Sequence, residues 1–251
     1  MFDQRELVVE HDRDGLASRS LKCLRGTRGT TARGSERGRM KITAFVDVLS
    51  HWCLAAQPAL DALRATLADD VRLEFVLAPV ADGAPTGVTH AQEAWFYTRG
   101  TLAYGTELDA SWCEGTDTTT WHANAAVAAG ASFGSNPIIL GRRVSRAAMV
   151  DGLLLGRESE AARVVSKFTG ADERALIEAM RSDAIVSALH AGNARLAAMG
   201  CAERPSWELV NDNGDRAVLQ GVWQAEAILP LTRALLDDER AYRRAGPPPA
   251  R

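Results

Sequence analysis

Ile42-Thr43-Ala44-Phe45-Val46-Asp47-Val48-Leu49-Ser50-His51-Trp52-Cys53 is the stretch on which the reading of this chain turns. The run from Ile42 to Leu49 is apolar with β-branched members, which predicts a strand. Ser50 follows as a small hydroxyl residue, and Cys53 to Leu67 is helix-compatible, so the strand leads into a helix N-terminus. First-turn amides and the helix dipole favour negative charge at such a junction, which suits a thiolate or an anionic ligand.

Beyond this junction, Val71 to Val80 is strongly apolar and predicts a strand buried on both faces, completing a βαβ unit with a parallel pair. Ala81 to Thr89 carries two glycines and a proline and reads as a loop. The next hundred residues are poor in strand signals. Helices are expected over His90–Tyr104, Thr120–Ala131, Ser145–Leu155, Ser159–Phe168 and Asp172–Ala198, the last with an N-cap at Asp172 and a fresh start at Ser182 or Asp183. Strands return at Ser206–Val210 and Arg216–Leu219, joined through Asn213-Gly214, a strong hairpin signal. Gln224 to Arg240 predicts a closing amphipathic helix, followed by a frayed, proline-rich end at 241–251.

The chain has 251 residues, 46% hydrophobic and 24% charged, which is ordinary globular composition. Its net charge of -3 divides unevenly: residues 1–39 hold nine Lys/Arg and six Asp/Glu, or +3, leaving -6 for the rest. An acidic body gives no electrostatic reason to expect nucleic acid. Residues 1–39 are rich in Gly, Ser, Thr and Arg and read as a disordered extension; Met40, directly before the first strand, is an alternative start. No apolar run approaches the roughly 18 residues of a membrane helix, and no secretory signal pattern is present, so the expected location is cytoplasmic. Cys23, Cys53, Cys113 and Cys201 form no Cys-x-x-Cys pair, which argues for reduced thiols. His51, Cys53, His90, Cys113 and His122 have no metal-ligand spacing, so no metal is expected. Phosphate-binding glycine motifs are missing as well, and no cofactor is required.

Asp47-Val48-Leu49-Ser50-His51-Trp52-Cys53 resembles the active-site opening of the DsbA-like thioredoxin superfamily, where a strand ends at Cys-x-x-Cys. Two further segments carry the resemblance. Gly152-Leu153-Leu154-Leu155-Gly156-Arg157-Glu158 is similar to a segment of FrnE-type members, and Met199 to Pro205 resembles the approach to the family's cis-proline. Together they identify an α/β chain with a thioredoxin-like fold interrupted by an all-helical insertion. Its parts are 40–82, the insertion 83–198, and 199–240. The resemblance implies that Pro205 is cis beside Ser50 and Cys53, and that Trp52, Arg204, Pro205 and Ser206 form the substrate side. Arg204 would then place a cation beside Cys53 or a bound anion.

The departure from the family lies in the chemistry. A dithiol oxidoreductase needs a nucleophilic thiolate at the first position and a resolving thiol one helical turn later, and Ser50 cannot supply the first. Cys201, four residues before Pro205, pairs with Cys53 only if the loop folds back, since an extended span of four residues holds it about 13 Å away. Three readings stay open. Cys53 acts as a single redox thiol, its pKa lowered by Arg204 or a protonated His51. Alternatively Ser50 matches the serine of kappa-class glutathione transferases and 2-hydroxychromene-2-carboxylate isomerases, donating a hydrogen bond to the sulfur of glutathione; their acidic Ser-Asp-Arg segment is replaced here by Gly221-Val222-Trp223-Gln224. In the third, a non-catalytic groove lined by Trp52, Trp95, Trp121 and Trp207 binds an extended peptide or small molecule. The partner is a small-molecule thiol or a peptide, and a homodimer is open.

Overall fold

The computed structural model describes residues 40–67, 70–114 and 118–246. The expected extension 1–39, with Cys23, and the tail beyond Gly246 lie outside the described residues. Strand β1 (Met40–Val46) is followed by α1 (His51–Ala55), α2 (Gln57–Leu67) and β2 (Val71–Leu77). Then come α3 (His90–Tyr104), α4 (Trp121–Ser132), α5 (Pro137–Met149), α6 (Glu158–Thr169), α7 (Glu173–Met180) and α8 (Asp183–Ala198). The chain closes with β3 (Ser206–Val210), β4 (Arg216–Gln220) and α9 (Ala225–Ala245). None of these helices is long and apolar enough to cross a membrane.

The four strands form one mixed sheet in the order β2-β1-β3-β4. β1 pairs with β2 in parallel, Met40 opposite Val71, and with β3 antiparallel, Phe45 opposite Ser206. Because side chains alternate across a strand, β1 serves both faces of the sheet. Met40, Ile42, Ala44 and Val46 pack with Leu60 and Leu63 of α2 and Ile228 and Leu236 of α9, while Phe45 joins Ala78 and Leu196 on the opposite side.

β2 departs from the expected doubly buried strand. It lies at the sheet edge, and its one fully buried side chain is Glu74. Glu74 accepts from Thr43 Oγ1 at 2.8 Å, pairs with Lys41 Nζ at 2.9 Å and takes two bonds from Arg195, each 3.1 Å. Burial alone would raise its pKa, but these donors hold it down to about 2. Arg195 belongs to α8, which lies so close to β2 that a Cβ on Gly192 would sit 2.1 Å from the Leu77 carbonyl oxygen.

The insertion is a bundle built around α4. This alanine-rich helix is buried from Ala123 through Gly130 and touches α5, α6, α7 and α8, as expected of a helix apolar on all sides. A Cβ on Gly130 would meet Leu140 at 2.4 Å, so the α4–α5 approach depends on that glycine.

Several boundaries moved. The expected helix 53–67 is broken at Ala56 into α1 and α2. The expected helix 145–155 is α5, eight residues earlier, because the Asn136 side chain accepts from Ile138 N and Ile139 N with Pro137 in the first turn. It stops at Met149, ahead of Gly152, whose φ is +68°. The Asp172 and Ser182 caps form as expected, accepting from Ala175 N and Ile185 N. Residues 241–245, expected to be frayed, continue α9.

Candidate functional site

The β1–α1 loop is fixed by its own first residue. Asp47 is fully buried, and its carboxylate accepts from Leu49 N at 2.8 Å, Val80 N at 2.7 Å and Asn124 Nδ2 at 2.8 Å. Asn124 Oδ1 accepts in turn from Val48 N at 3.2 Å, and Ser145 Oγ donates to the Val48 carbonyl at 2.6 Å. Two helices of the insertion thus clamp the loop that presents Ser50. A lone Asn within an alanine run was the sequence signal for this clamp, and it was overlooked.

Ser50 is the N-cap of α1 in an extended conformation, partly exposed, and its side chain makes no cap hydrogen bond. Its carbonyl accepts from Cys53 N at 3.0 Å and Leu54 N at 3.1 Å. One turn on, Cys53 is 2% exposed and packs within the apolar core against the sheet. Burial pushes its thiol up to about 12. The Asp47 backbone, the Ser50 hydroxyl and Arg204 pull it down, the Asp47 charge adds to the rise, and burial wins. At neutral pH Cys53 is therefore a protonated, enclosed sulfur, in contrast to the activated thiol of the first reading.

His51 does not supply the expected cation either. It is buried, its ring 4.7 Å from that of Trp52 and edge-on to Tyr97 at 5.2 Å, and burial with the nearby Arg99 charge lowers its pKa to about 4. It is neutral at pH 7, and its buried Nε2 has no hydrogen-bond partner. Trp52 stacks on Trp223 at 6.0 Å beneath the Arg99 guanidinium, 5.9 Å from the ring, so the position where an acidic segment was sought carries an aromatic one.

Across from α1, α3 presents Glu93 and Tyr97 four residues apart, and thus on one face. Tyr97 is buried; its hydroxyl accepts from Trp112 Nε1 at 2.6 Å and hydrogen-bonds to the Glu93 carboxylate. Burial raises Glu93 to about 7, the Tyr97 bond opposes this, and Asp47 adds to it. The same environment raises Tyr97 well above its ordinary value and lifts the buried Cys113 thiol to about 11. The i, i+4 spacing of Glu93 and Tyr97 was visible in the sequence, but nothing there aimed this face at Ser50.

The Arg204–Pro205 peptide bond is cis, as the resemblance implied. Strand register places Pro205 one residue before the Phe45–Ser206 pair, level with the end of β1. Arg204 places its charge near Cys53, as expected, but its donors are spent on the protein and not on a ligand. Nε donates to the Ala78 carbonyl at 2.7 Å, Nη1 to Ala202 O at 2.6 Å, and Nη2 to Pro79 O at 3.2 Å and Asn193 Oδ1 at 2.5 Å. It ties the proline loop to Ala78-Pro79, just ahead of the turn Val80–Gly83, where Ala81 and Asp82 adopt left-handed φ of 58° and 50°. Asp82 is held there by Asn193 Nδ2 at 2.6 Å and His190 Nδ1 at 2.9 Å. Ser206 is also inward, fully buried with its hydroxyl on the Glu203 carbonyl.

The remaining tryptophans do not share one groove. Trp207 is core, its Nε1 donating to Val222 O at 2.7 Å; Trp95 is 60% exposed; and Trp121 packs on Gly83 and on the His190 ring at 4.9 Å. The Thr118-Thr119-Thr120 run before Trp121 is an anchor: Thr118 donates to Cys113 O, Thr119 to Gly83 O, and the Thr120 carbonyl accepts from Asn124. Cys201 packs with Phe45 and Leu196, in a separate cluster from Cys53. No metal-holding group occurs among the described residues.

No protein-family model and no curated protein sequence matches the chain. Solved structures do. A Nitrosomonas europaea protein described as a disulfide isomerase aligns with TM-score 0.65 and 16% identity over 80% of this chain and 97% of its own. The cytosolic disulfide reductase DsbM from Pseudomonas aeruginosa gives 0.61 and 16% over 82% and 100%, and its complex with glutathione 0.59 and 14% over 81% and 99%. A 2-hydroxychromene-2-carboxylate isomerase gives 0.54 and 15% over 82% and 100%. The chain therefore has the DsbA-like thioredoxin fold that these reductases and isomerases share.

Proposed function

We propose that this protein binds a small thiol, glutathione being the first to test, with its sulfur at Ser50, and uses it in isomerase- or transferase-type chemistry without cycling a protein disulfide. One contrast carries the reading. The residue at the mouth of α1 is a partly exposed serine whose hydroxyl caps no helix amide and bonds instead with the Cys53 sulfur, so a ligand sulfur would take the place of that partner, while the cysteine one turn behind is enclosed and protonated. Burial pushes the Cys53 thiol up to about 12, so it stays protonated at pH 7, and the thiol form is a poor partner for thiol–disulfide exchange. A serine hydroxyl, by contrast, can donate to a ligand thiolate, and a hydrogen bond to a charged partner contributes about 1.5–3 kcal/mol. The fold neighbours support the choice, since one is a glutathione complex and another an isomerase.

Insulin-reduction and glutathione-conjugation assays on wild type, Ser50→Ala and Cys53→Ala test this reading. Glutathione-dependent turnover that falls in Ser50→Ala and survives in Cys53→Ala, with insulin reduction at background, is expected. Insulin reduction abolished by Cys53→Ala would replace it with single-thiol oxidoreductase chemistry.

A further inference from the structure

Glu93, half-buried, and the buried Tyr97 and His51 form a polar cluster that the thiol-binding reading does not use. Tyr97 sits at its centre, taking the Trp112 indole N–H, hydrogen-bonding to Glu93 and receiving the edge of the His51 ring, next in sequence to Ser50. His51 is 9% exposed, and its Nε2 has no hydrogen-bond partner, so its contact with Tyr97 is one of rings. Every element packed on this part of α3 brings a charged or titratable group: Asp47 from the β1–α1 loop, His51 from α1, Cys113 from the turn Ser111–Cys113 with Glu114 behind it, and Arg99 from α3 itself.

We propose that the Glu93 carboxyl is a proton store coupled by charge to the thiol site at Ser50, the packing of α3 on α1 bringing the two together. The proposal rests on the thiol-binding reading. When the ligand is held as its thiolate, its S–H bond breaks with the electron pair left on sulfur, and Glu93 takes up one proton. Asp47, Glu93 and a thiolate would place three negative charges around one poorly solvated loop, and like charges so placed do not all stay ionised. Asp47 is committed to three donors, so Glu93 is the group that yields. Burial, which raises its pKa to about 7, puts its charge change near neutrality and suits that role.

Calorimetry of glutathione binding in buffers of different ionisation enthalpy counts the protons released, with S-methylglutathione, which has no S–H, as the control. Wild type should release about one proton per glutathione near pH 6, where Glu93 is already protonated, and close to none near pH 8, where Glu93 absorbs it. Glu93→Gln should release about one at both. Tyr97→Phe, which removes the bond that holds the carboxyl down, should move the crossover to higher pH and carries the test should Glu93→Gln fold poorly. Glutathione binding with the same proton release in wild type and Glu93→Gln, or an unmoved crossover in Tyr97→Phe, overturns the proposal and leaves thiol binding intact. Absence of any glutathione heat overturns both.

Discussion

Asn124 donates to the Asp47 carboxylate at 2.8 Å across 77 residues of sequence, joining the centre of the helical bundle to the loop that presents Ser50. The thioredoxin-like part and the insertion are therefore joined at the site by a buried polar contact, besides the Glu74–Arg195 pair at the sheet edge. Removing the carboxylate in Asp47→Ala strands three donors, the buried Leu49 N and Asn124 Nδ2 and the part-buried Val80 N. The expected cost is about 3 kcal/mol of unfolding free energy, read from urea denaturation. A loss below about 1 kcal/mol would mean the loop is held by other contacts.

Cys53 should behave as a core atom. Under native conditions near pH 7.5 its alkylation by iodoacetamide is expected to be about 100-fold slower than in urea-unfolded protein, and mass spectrometry of the labelled peptide reads this directly. Labelling at the rate of a free thiol would show that the sulfur is open and ionisable.

Glu74 gives the fold an acid limit. Its pKa falls from 4.5 unfolded to about 2 folded, so its contribution is fully present above pH 4.5 and is lost as pH drops through about 2. That shift corresponds to about 2–3 kcal/mol, discounted for the part-exposed Arg195 and Lys41 that donate to it. Glu74→Gln should flatten the fall in unfolding free energy between about pH 5 and pH 2. An unchanged slope would place the acid sensitivity elsewhere.

Much of the architecture was legible because local signals agreed with the tertiary result. The apolar, β-branched run of β1, the Asn213-Gly214 turn and the caps at Asp172 and Ser182 each report on a few neighbouring residues, and each formed, with β1 running over Met40–Val46 and stopping short of the expected Leu49. Edge placement of β2 was not legible, because an apolar run looks alike at the middle and the rim of a sheet until its neighbours are known. The site divided in the same way. Ser50 and its departure from a thiol were plain in the sequence, as was the proline loop. Whether Cys53 is buried, whether His51 carries a charge, and that Arg204 is consumed by Ala78, Pro79 and Asn193 all depend on contacts made by residues far away in the chain. Glu93 was missed for the same reason: its meaning comes from the α1–α3 contact.

The most direct measurement is a calorimetric titration of glutathione into wild type and Ser50→Ala at neutral pH. The account predicts saturable binding to wild type and roughly 10- to 100-fold weaker binding to Ser50→Ala, the loss of one charge-assisted hydrogen bond. No heat at millimolar glutathione, or equal affinity in the two proteins, would contradict it.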